Sequence, residues 1–401
     1  MSTFGWLDVD AQRRQQMLEF VDLFRDSSTV DELGIGPIRD GFSDLLFPGT
    51  STLHTRLRYV LFIPWLMQKA SDTGRPPDQQ AADFKEFEYK LIRVLLSGGE
   101  TAGVLGRRAG KKLKRLPSEV YQTALNRWGI VNGTSEAFFR RKAAMRQLDR
   151  SEEDDPDYLF SLGFGIDPNL PAAPEEFSTR SLGPTTFVLT HEEASYLRDK
   201  ISENTAGSLF SYLINNPIDD PEALEDYSWY ELRYANLPEK FHRQIDHAYR
   251  FGEFHVLAAL LYNLMLAEKA SRQDLIELYH ESLEATQALV TEEGLANGWD
   301  RDDFWKTVAI SRPNLPGHTL AFVDDWYVVA KRAVDSGFPL ANSVQARALV
   351  ERRERQMKGS RARLLGGPAL DAWEGDSGTR LLEYRWTQAR SDLIDIYRGL
   401  E

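Results

Sequence analysis

The stretch that most constrains the fold covers residues 238–269. Pro238 is well placed to start a helix, and residues 256–267 are nearly all apolar. A helix that is apolar all round is buried, so this stretch predicts a long helix at the core of the C-terminal half. The most apolar windows, residues 57–67 and 256–267, are shorter than the roughly 20 residues of a membrane-spanning helix. They predict buried core helices and no membrane partner.

Apolar residues elsewhere recur three and four positions apart, which is the spacing of one helix face. Alternating apolar and polar runs are scarce, and residues 185–189 form the best short strand. We expect Thr190 to open a capping box with Glu193 and Ser271 to cap a helix of its own. The sequence therefore predicts a mainly α fold. The predicted helices cover residues 10–25, 37–47, 53–69, 79–96, 117–128, 134–147, 190–203, 238–269, 271–290, 304–310, 320–332, 343–355 and 379–398.

Length and composition predict two helical domains joined by a Pro/Gly-rich acidic linker. A chain of 401 residues is too long for one hydrophobic core. Residues 151–157 are acidic, and several prolines and glycines follow them. The predicted organisation is an N-terminal helical domain over 1–150, a linker or docked arm over 151–189, and an acidic C-terminal helical domain over 190–401. Docking of the arm is favoured by Phe160, Phe164 and Phe177.

The chain contains no cysteine, which excludes disulfides, thiolate zinc sites and a cysteine nucleophile. The N-terminus lacks the basic start and apolar run of a signal peptide. We therefore expect a cytoplasmic protein. No Gly-rich phosphate loop, dinucleotide fingerprint or nucleophile elbow is present, so the sequence predicts no cofactor.

Charge is unevenly distributed along the chain. Lys and Arg counted against Asp and Glu give +5 for residues 1–150 and -18 for residues 151–401, within a total of -13. Six of the nine residues in 107–115 are Lys or Arg; we call this segment the basic island. Helix 134–147 adds further cations. The candidate DNA-binding residues are Arg107, Arg108, Lys111, Lys112, Lys114, Arg115, Arg140, Arg141 and Lys142.

The basic island admits several interpretations. Phosphate contacts from Lys and Arg supply affinity for DNA, and a Gly-rich basic turn between two helices is compatible with a helix-turn-helix or winged-helix-like element. Alternatively, the island pairs with the acidic half of the same chain, contacts a partner protein, or is a solvated loop. A weaker second basic cluster could join the same surface. Its members are Arg352, Arg353, Arg355, Lys358, Arg361 and Arg363.

An enzymatic alternative is also open from residue types. Asp78, Glu88 and Lys90 are the residue types of a metal-dependent nuclease core, although their segment is better described as a helix than as the required strand. The pairs Glu239 with His242 and Glu277 with His280 have the three-residue spacing found in di-iron bundles. That spacing arises easily in so acidic a chain, so we predict no metal site. Arg56 and Arg58, just before an apolar run, are expected to be solvated or paired.

Several motifs resemble one known family. They are Glu32-Leu-Gly-Ile-Gly-Pro-Ile-Arg-Asp40, Asp44-Leu-Leu-Phe-Pro-Gly-Thr-Ser51, Thr55-Arg-Leu-Arg-Tyr59, Leu116-Pro-Ser-Glu-Val-Tyr121, Trp128-Gly-Ile130 and Tyr384-Arg-Trp386. They are similar to those of an uncharacterised bacterial family, domain of unknown function 6361. The resemblance implies no catalytic residue. Genes of the family are often near anti-phage defence genes, which implies partners among defence proteins such as helicase or nuclease subunits.

Together these observations favour a non-enzymatic DNA-binding or adaptor subunit of a bacterial anti-phage defence complex. The expected partners are other defence-system proteins and DNA. The alternatives are a cryptic metal-dependent nuclease or hydrolase and a pure protein-interaction scaffold.

Overall fold

A computed structural model describes residues 31–147, 165–178 and 182–401, with the side chains of residues 145–147 and 178 left aside. The predicted mainly α fold is confirmed, because 66% of the described residues are helical and 1% lie in strands. The predicted helix over residues 10–25 lies outside the described residues. The helices are α1 Gly36–Leu46, α2 Tyr59–Ser71, α3 Pro77–Ser97, α4 Pro117–Arg127, α5 Ser135–Gln147, α6 Glu175–Ser178, α7 His191–Asn204, α8 Leu209–Asn215, α9 Pro221–Asp226, α10 Glu239–Lys269, α11 Gln273–Glu292, α12 Arg301–Ser311, α13 Gly317–Ser336, α14 Val344–Lys358, α15 Pro368–Asp371 and α16 Trp386–Leu400.

Two short strands, β1 (Val131–Asn132) and β2 (Gly165–Ile166), pair antiparallel. The strand predicted over residues 185–189 is wrong. The backbone amide of Thr185 donates to the carbonyl of Val94 at 3.3 Å, and the amide of Phe187 donates to Oε1 of Glu100 at 2.6 Å. These amides donate to the end of a helix and to a side chain. The segment is therefore not paired with another strand, although its sequence alternates.

Helix ends follow local chemistry where the cap is a side chain. The capping box at Thr190 is confirmed, since Glu193 N donates to Thr190 Oγ1 at 3.2 Å and Glu193 Oε2 accepts from Thr190 N at 3.1 Å. The cap predicted at Ser271 is wrong, because Ser271 has φ +55° and α11 begins after Arg272. The last helix begins at Trp386 instead of Thr379, since Tyr384 and Arg385 are left-handed.

The described residues form two compact units. Unit 1 comprises the described part of Met1–Phe42 together with Leu237–Leu382, and unit 2 comprises Ser43–Asn236 together with Glu383–Glu401. Each unit draws on two separate segments, whereas the predicted domains 1–150 and 190–401 follow the chain in order. Contacts do not report which segment folds alone, so the predicted domain boundaries stay a prediction.

Unit 1 is built around α10. Its 31 residues span about 46 Å. Side chains from Val256 to Leu264 are buried on every side of the helix, as the apolar sequence predicts. Helices α11, α13 and α14 pack on α10. One buried polar group bonds across the core, where Trp326 Nε1 on α13 donates to the carbonyl of Phe254 on α10 at 2.7 Å.

The core of unit 2 is rich in aromatic side chains, from α2 and from the start of α16 among other segments. Phe47 packs on Trp386 with ring centroids 5.7 Å apart. Part of the predicted arm lies in this core: Phe177 is buried and stacks on Phe62 at 5.4 Å, while Trp65 Nε1 donates to the carbonyl of Pro171 at 2.8 Å. Phe177 therefore packs on α2, while Phe160 and Phe164 lie outside the described residues, and the linker or docked arm over 151–189 stays a prediction. Within the described ranges, no helix is both long and apolar enough to cross a membrane.

Candidate nucleic-acid interface

The basic island lies in the connection between α3 and α4. Gly106 (φ +80°) and Gly110 (φ +51°) turn the chain there, and residues Gly110–Lys112 form a single 3₁₀ turn. A Cβ on Gly106 would press on the side chains of Ile92 and Leu113, so the turn lies directly on α3. The loop is therefore fixed on a helix. Its six cationic side chains are all exposed, and they are Arg107, Arg108, Lys111, Lys112, Lys114 and Arg115.

The charge of the island is largely uncompensated by the described part of the chain. Lys111 Nζ lies 3.3 Å from Glu86 Oε2, and the two side chains are 69% and 42% exposed. Such an exposed pair contributes no more than about 1 kcal/mol. Arg107 donates to the carbonyl of Thr101. No island cation forms an ion pair with a described residue of the acidic half, so internal neutralisation finds no support in these ranges.

The second group of predicted cations lies on α5. Arg140 and Arg141 are exposed. Lys142 is half-buried, donates to Ser71 Oγ at 3.0 Å and lies 3.9 Å from Asp72, so its ammonium is held at the end of α2. Helix α5 packs on α3, as does the island loop. Helix α3 is thus the common support of both predicted groups.

Sequence reasoning missed one cation on α3. Arg93 is exposed and lies seven residues after Glu86, the partner of Lys111. Seven residues are two helical turns, so Arg93 and Glu86 share a face of α3. This spacing was visible in the sequence, but its relevance depends on where the island loop lies. Arg93 therefore extends the candidate surface.

The helix-turn-helix or winged-helix-like element stays a prediction. The connection to which it was assigned runs over residues 98–116, between α3 and α4. A helix-turn-helix motif joins its two helices by a turn of about three or four residues. The island is therefore better described as a supported loop than as the turn of such a motif.

The second basic cluster is mostly neutralised inside unit 1. Arg353 is buried and donates to the carbonyls of Leu33 and Gly34 at 2.7 and 3.1 Å. Glu32 forms ion pairs with Lys358 and, at 2.9 Å, with Arg363. On the surface, Arg352 pairs with Asp325 at 3.5 Å and Arg355 with Glu351 at 2.9 Å. These cations stabilise unit 1 and leave little charge for a polyanion.

Arg56 and Arg58 are also structural. Arg56 Nη2 lies 2.7 Å from Asp395 Oδ1 on α16. Arg58 Nη2 lies 2.7 Å from Glu193 Oε1, and Nη1 of Arg58 donates to the carbonyl of Thr186 at 2.7 Å. Both side chains are paired, as expected, and each joins the start of α2 to a distant helix of unit 2.

The residues of the nuclease hypothesis do not converge. Asp78 is exposed in the first turn of α3, and Glu88 is buried further along the same helix. Ten residues of helix separate them by about 15 Å, too far for a shared metal ion. Glu88 instead accepts hydrogen bonds from Ser118 N at 2.7 Å and from Ser118 Oγ at 3.0 Å. It thereby gives a partner to a backbone amide in the first turn of α4. Burial raises the pKa of Glu88 to about 7.

The two Glu–His pairs do not converge either. Glu239 and His242 lie at the start of α10, while Glu277 and His280 lie near the start of α11. About 40 Å of helix separates His242 from the connection between α10 and α11, and His280 lies about 12 Å beyond that connection. Among the described residues, no three His, Asp or Glu side chains are grouped so that they could hold a metal ion.

Comparison with known proteins gives one match. The model of DUF6361, a family of unknown function, matches residues 1–397. The chain belongs to the DUF6361 family. No curated protein and no solved structure is detectably similar to it.

Three of the motifs that carry the DUF6361 resemblance, at residues 44–51, 128–130 and 384–386, contact one another within unit 2. Trp128 Nε1 donates to the carbonyl of Pro48 at 2.9 Å. Arg385 Nη1 donates to Asp44 Oδ1 at 2.7 Å and to the carbonyl of Thr50 at 2.9 Å. These contacts connect motifs that are far apart in the sequence. Their role in this DUF6361 protein is to hold the fold, and the basic island is its candidate binding surface.

Proposed function

We propose that this protein is a non-enzymatic DNA-binding or adaptor subunit of a bacterial anti-phage defence complex, and that the basic island holds the phosphate backbone of DNA. One observation carries the proposal: six cationic side chains within nine residues are all exposed, and one of them is paired with a described carboxylate. The defence context is the one that the family resemblance implies. The other subunits of the defence complex would be helicase or nuclease proteins.

The physical basis is counterion release. A cation that neutralises a phosphate frees a condensed counterion, and the logarithm of the affinity falls with the logarithm of salt by about 0.9 per contact on duplex DNA. The net charge of -13 makes most of the surface repel DNA. Binding is therefore confined to the island and its neighbours. The six island cations contribute about -5 to the slope, since they give about six contacts.

The test is a charge reversal with a matched control. Lys111→Glu, Lys112→Glu and Lys114→Glu together are expected to abolish binding of a labelled duplex, measured by fluorescence anisotropy at several salt concentrations. The control combines Lys240→Glu, Lys269→Glu and Lys306→Glu, which reverses three exposed lysines of unit 1 and changes the net charge equally. The control is expected to weaken binding only modestly.

Two results would contradict DNA binding through the island. The first is affinity that survives the island reversal, and the second is an equal loss in both triple variants. If the wild-type protein binds no duplex at low salt while other proteins co-purify with it, the adaptor alternative is favoured. Under that alternative, the island reversal should remove a co-purifying partner.

A further inference from the structure

We infer that the island binds duplex DNA of any base sequence, through the sugar–phosphate backbone alone. This inference rests on the proposed function and specifies its ligand. The basis is the set of chemical groups that the island and its supporting helices offer to a nucleic acid.

The composition and the backbone of the island do not suit it to reading base edges. Residues 99–116 contain no Asn, no Gln and no aromatic residue. Adenine is read by Asn or Gln, and guanine by Arg or Lys carried into the major groove on a helix or a β-ribbon. The island cations lie instead on a loop with one 3₁₀ turn, held along the side of α3. Their accessible partners are phosphates, which carry no sequence information directly.

The surface also lacks a platform for unpaired bases. Proteins that hold single strands stack successive bases on aromatic side chains. On α3, α4 and α5 the rings of Phe84, Tyr121, Phe138 and Phe139 are buried. The other two aromatic residues of these helices, Phe87 and Tyr89, are half-buried. Without stacking, the affinity depends on charge density, which is higher along a duplex than along a single strand.

The experiment measures duplex and single-strand binding of the full-length chain by fluorescence anisotropy. The probes are an A·T-rich, a G·C-rich and a mixed duplex of equal length, with the separated strands of the mixed duplex. We expect the three duplex affinities to agree within about threefold, whereas a base-reading protein loses about five- to 150-fold for a single wrong base pair. The single strands should bind more weakly, with a salt slope about four-fifths of the duplex slope.

An engineered aromatic side chain provides a second readout. Ala109 is an exposed residue of the island, and Ala102 is an exposed residue outside it. Ala109→Trp supplies the missing stacking platform and should raise single-strand affinity by about five- to 150-fold, the worth of one stacked base. Ala102→Trp is the matched control and should change it little.

The outcomes separate this inference from the proposed function. More than about threefold discrimination among the duplexes, or single strands that bind as tightly as the duplex, would overturn backbone-only binding and leave DNA binding standing. No gain in Ala109→Trp would likewise contradict contact between the island and the strand. Binding to none of the probes would overturn the proposed function itself.

Discussion

Arg56 and Asp395 form a pair across 339 positions of sequence: Nε and Nη2 of the guanidinium donate to the two carboxylate oxygens at 3.2 and 2.7 Å. The backbone amide of Leu57 donates to the same carboxylate at 3.1 Å. Asp395 is 6% exposed and Arg56 28%. The pair therefore joins the start of α2 to α16 within unit 2, and its carboxylate satisfies three donors.

Removal of this carboxylate should destabilise the protein strongly. Asp395→Ala leaves the three donors without their acceptor, and loss of one partner of a buried pair costs about 3 to 5 kcal/mol. The matched control is Glu225→Ala, which removes a carboxylate that pairs with Arg398 at the surface, where the two side chains are about half exposed. The control should cost no more than about 1 kcal/mol. Thermal denaturation followed by circular dichroism measures both variants. Equal shifts in the two would contradict the assigned role of Asp395.

His54 should make stability fall as the pH falls. Its imidazole is 5% exposed, stacks on Tyr121 with ring centroids 4.1 Å apart, and has its pKa lowered by burial to about 4. The unfolded chain takes up a proton near the ordinary pKa of 6.5, while the folded chain stays neutral down to about 4. Between these values the unfolded state binds more protons, so about 2 to 4 kcal/mol of stability is lost as the pH falls from 7 to 4.

His54→Phe tests this directly, because the ring and its stacking remain while the titration disappears. The midpoint of denaturant unfolding should fall less steeply with decreasing pH in the variant than in the wild type. Burial also lowers the pKa of His255 to about 4. His255 is present in both proteins, so its contribution to the pH dependence cancels when the two are compared. Parallel pH profiles would show that His54 does not carry this dependence.

Glu88 should have the opposite dependence. Its pKa is raised by burial to about 7, so the folded chain holds a proton between about 4.5 and 7 that the unfolded chain has lost. Stability contributed by the neutral form is present at pH 4.5 and is lost as the pH rises through 7. Glu88→Gln keeps the shape and an acceptor for Ser118 N without the charge. Its stability relative to the wild type should rise by about 3 kcal/mol between pH 5 and pH 8, measured by urea denaturation. A pH-independent difference would contradict the raised pKa.

Gly49 should tolerate no side chain. It has φ +93°, and a Cβ there would overlap the indole of Trp128, whose Nε1 donates to the carbonyl of Pro48. Gly49→Ala is therefore expected to cost about 2 to 5 kcal/mol from strain and overlap together. Gly74 is the control: it has φ +68° with nothing within 4 Å of a Cβ, so Gly74→Ala should cost about 1 kcal/mol. Comparable losses in the two variants would show that contact with Trp128 is not decisive.

Local sequence determined most of the helices of the described chain. The boundaries around Thr190 and Ser343 were predictable because the capping oxygen and the amide it accepts from are three residues apart. Ser271 had the same chemistry and does not cap α11, because the turn after α10 needs a left-handed residue there. Tyr384 and Arg385 are likewise left-handed, which delays α16, and the backbone conformation of neither residue is evident from its type.

The candidate site was predictable in the same partial way. The density of cations in residues 107–115 is a property of the sequence, and the structure shows these side chains exposed on the loop that lies against α3. The second cluster looked similar in composition, but Arg353 donates to carbonyls more than 300 positions away and is buried. Composition does not distinguish a solvated arginine from a buried one, because the distinction depends on partners from remote segments.

By itself the sequence determined the helical fold class, the apolar α10 and the position of the basic island, since each is set by residues within a few turns of one another. Only the tertiary structure decided which charges remain available to a partner. An ion pair such as Arg56 with Asp395, or the burial of Arg353, requires chain segments hundreds of positions apart to meet. Those meetings depend on how helices pack, and helix packing depends on the shapes of all the buried side chains together.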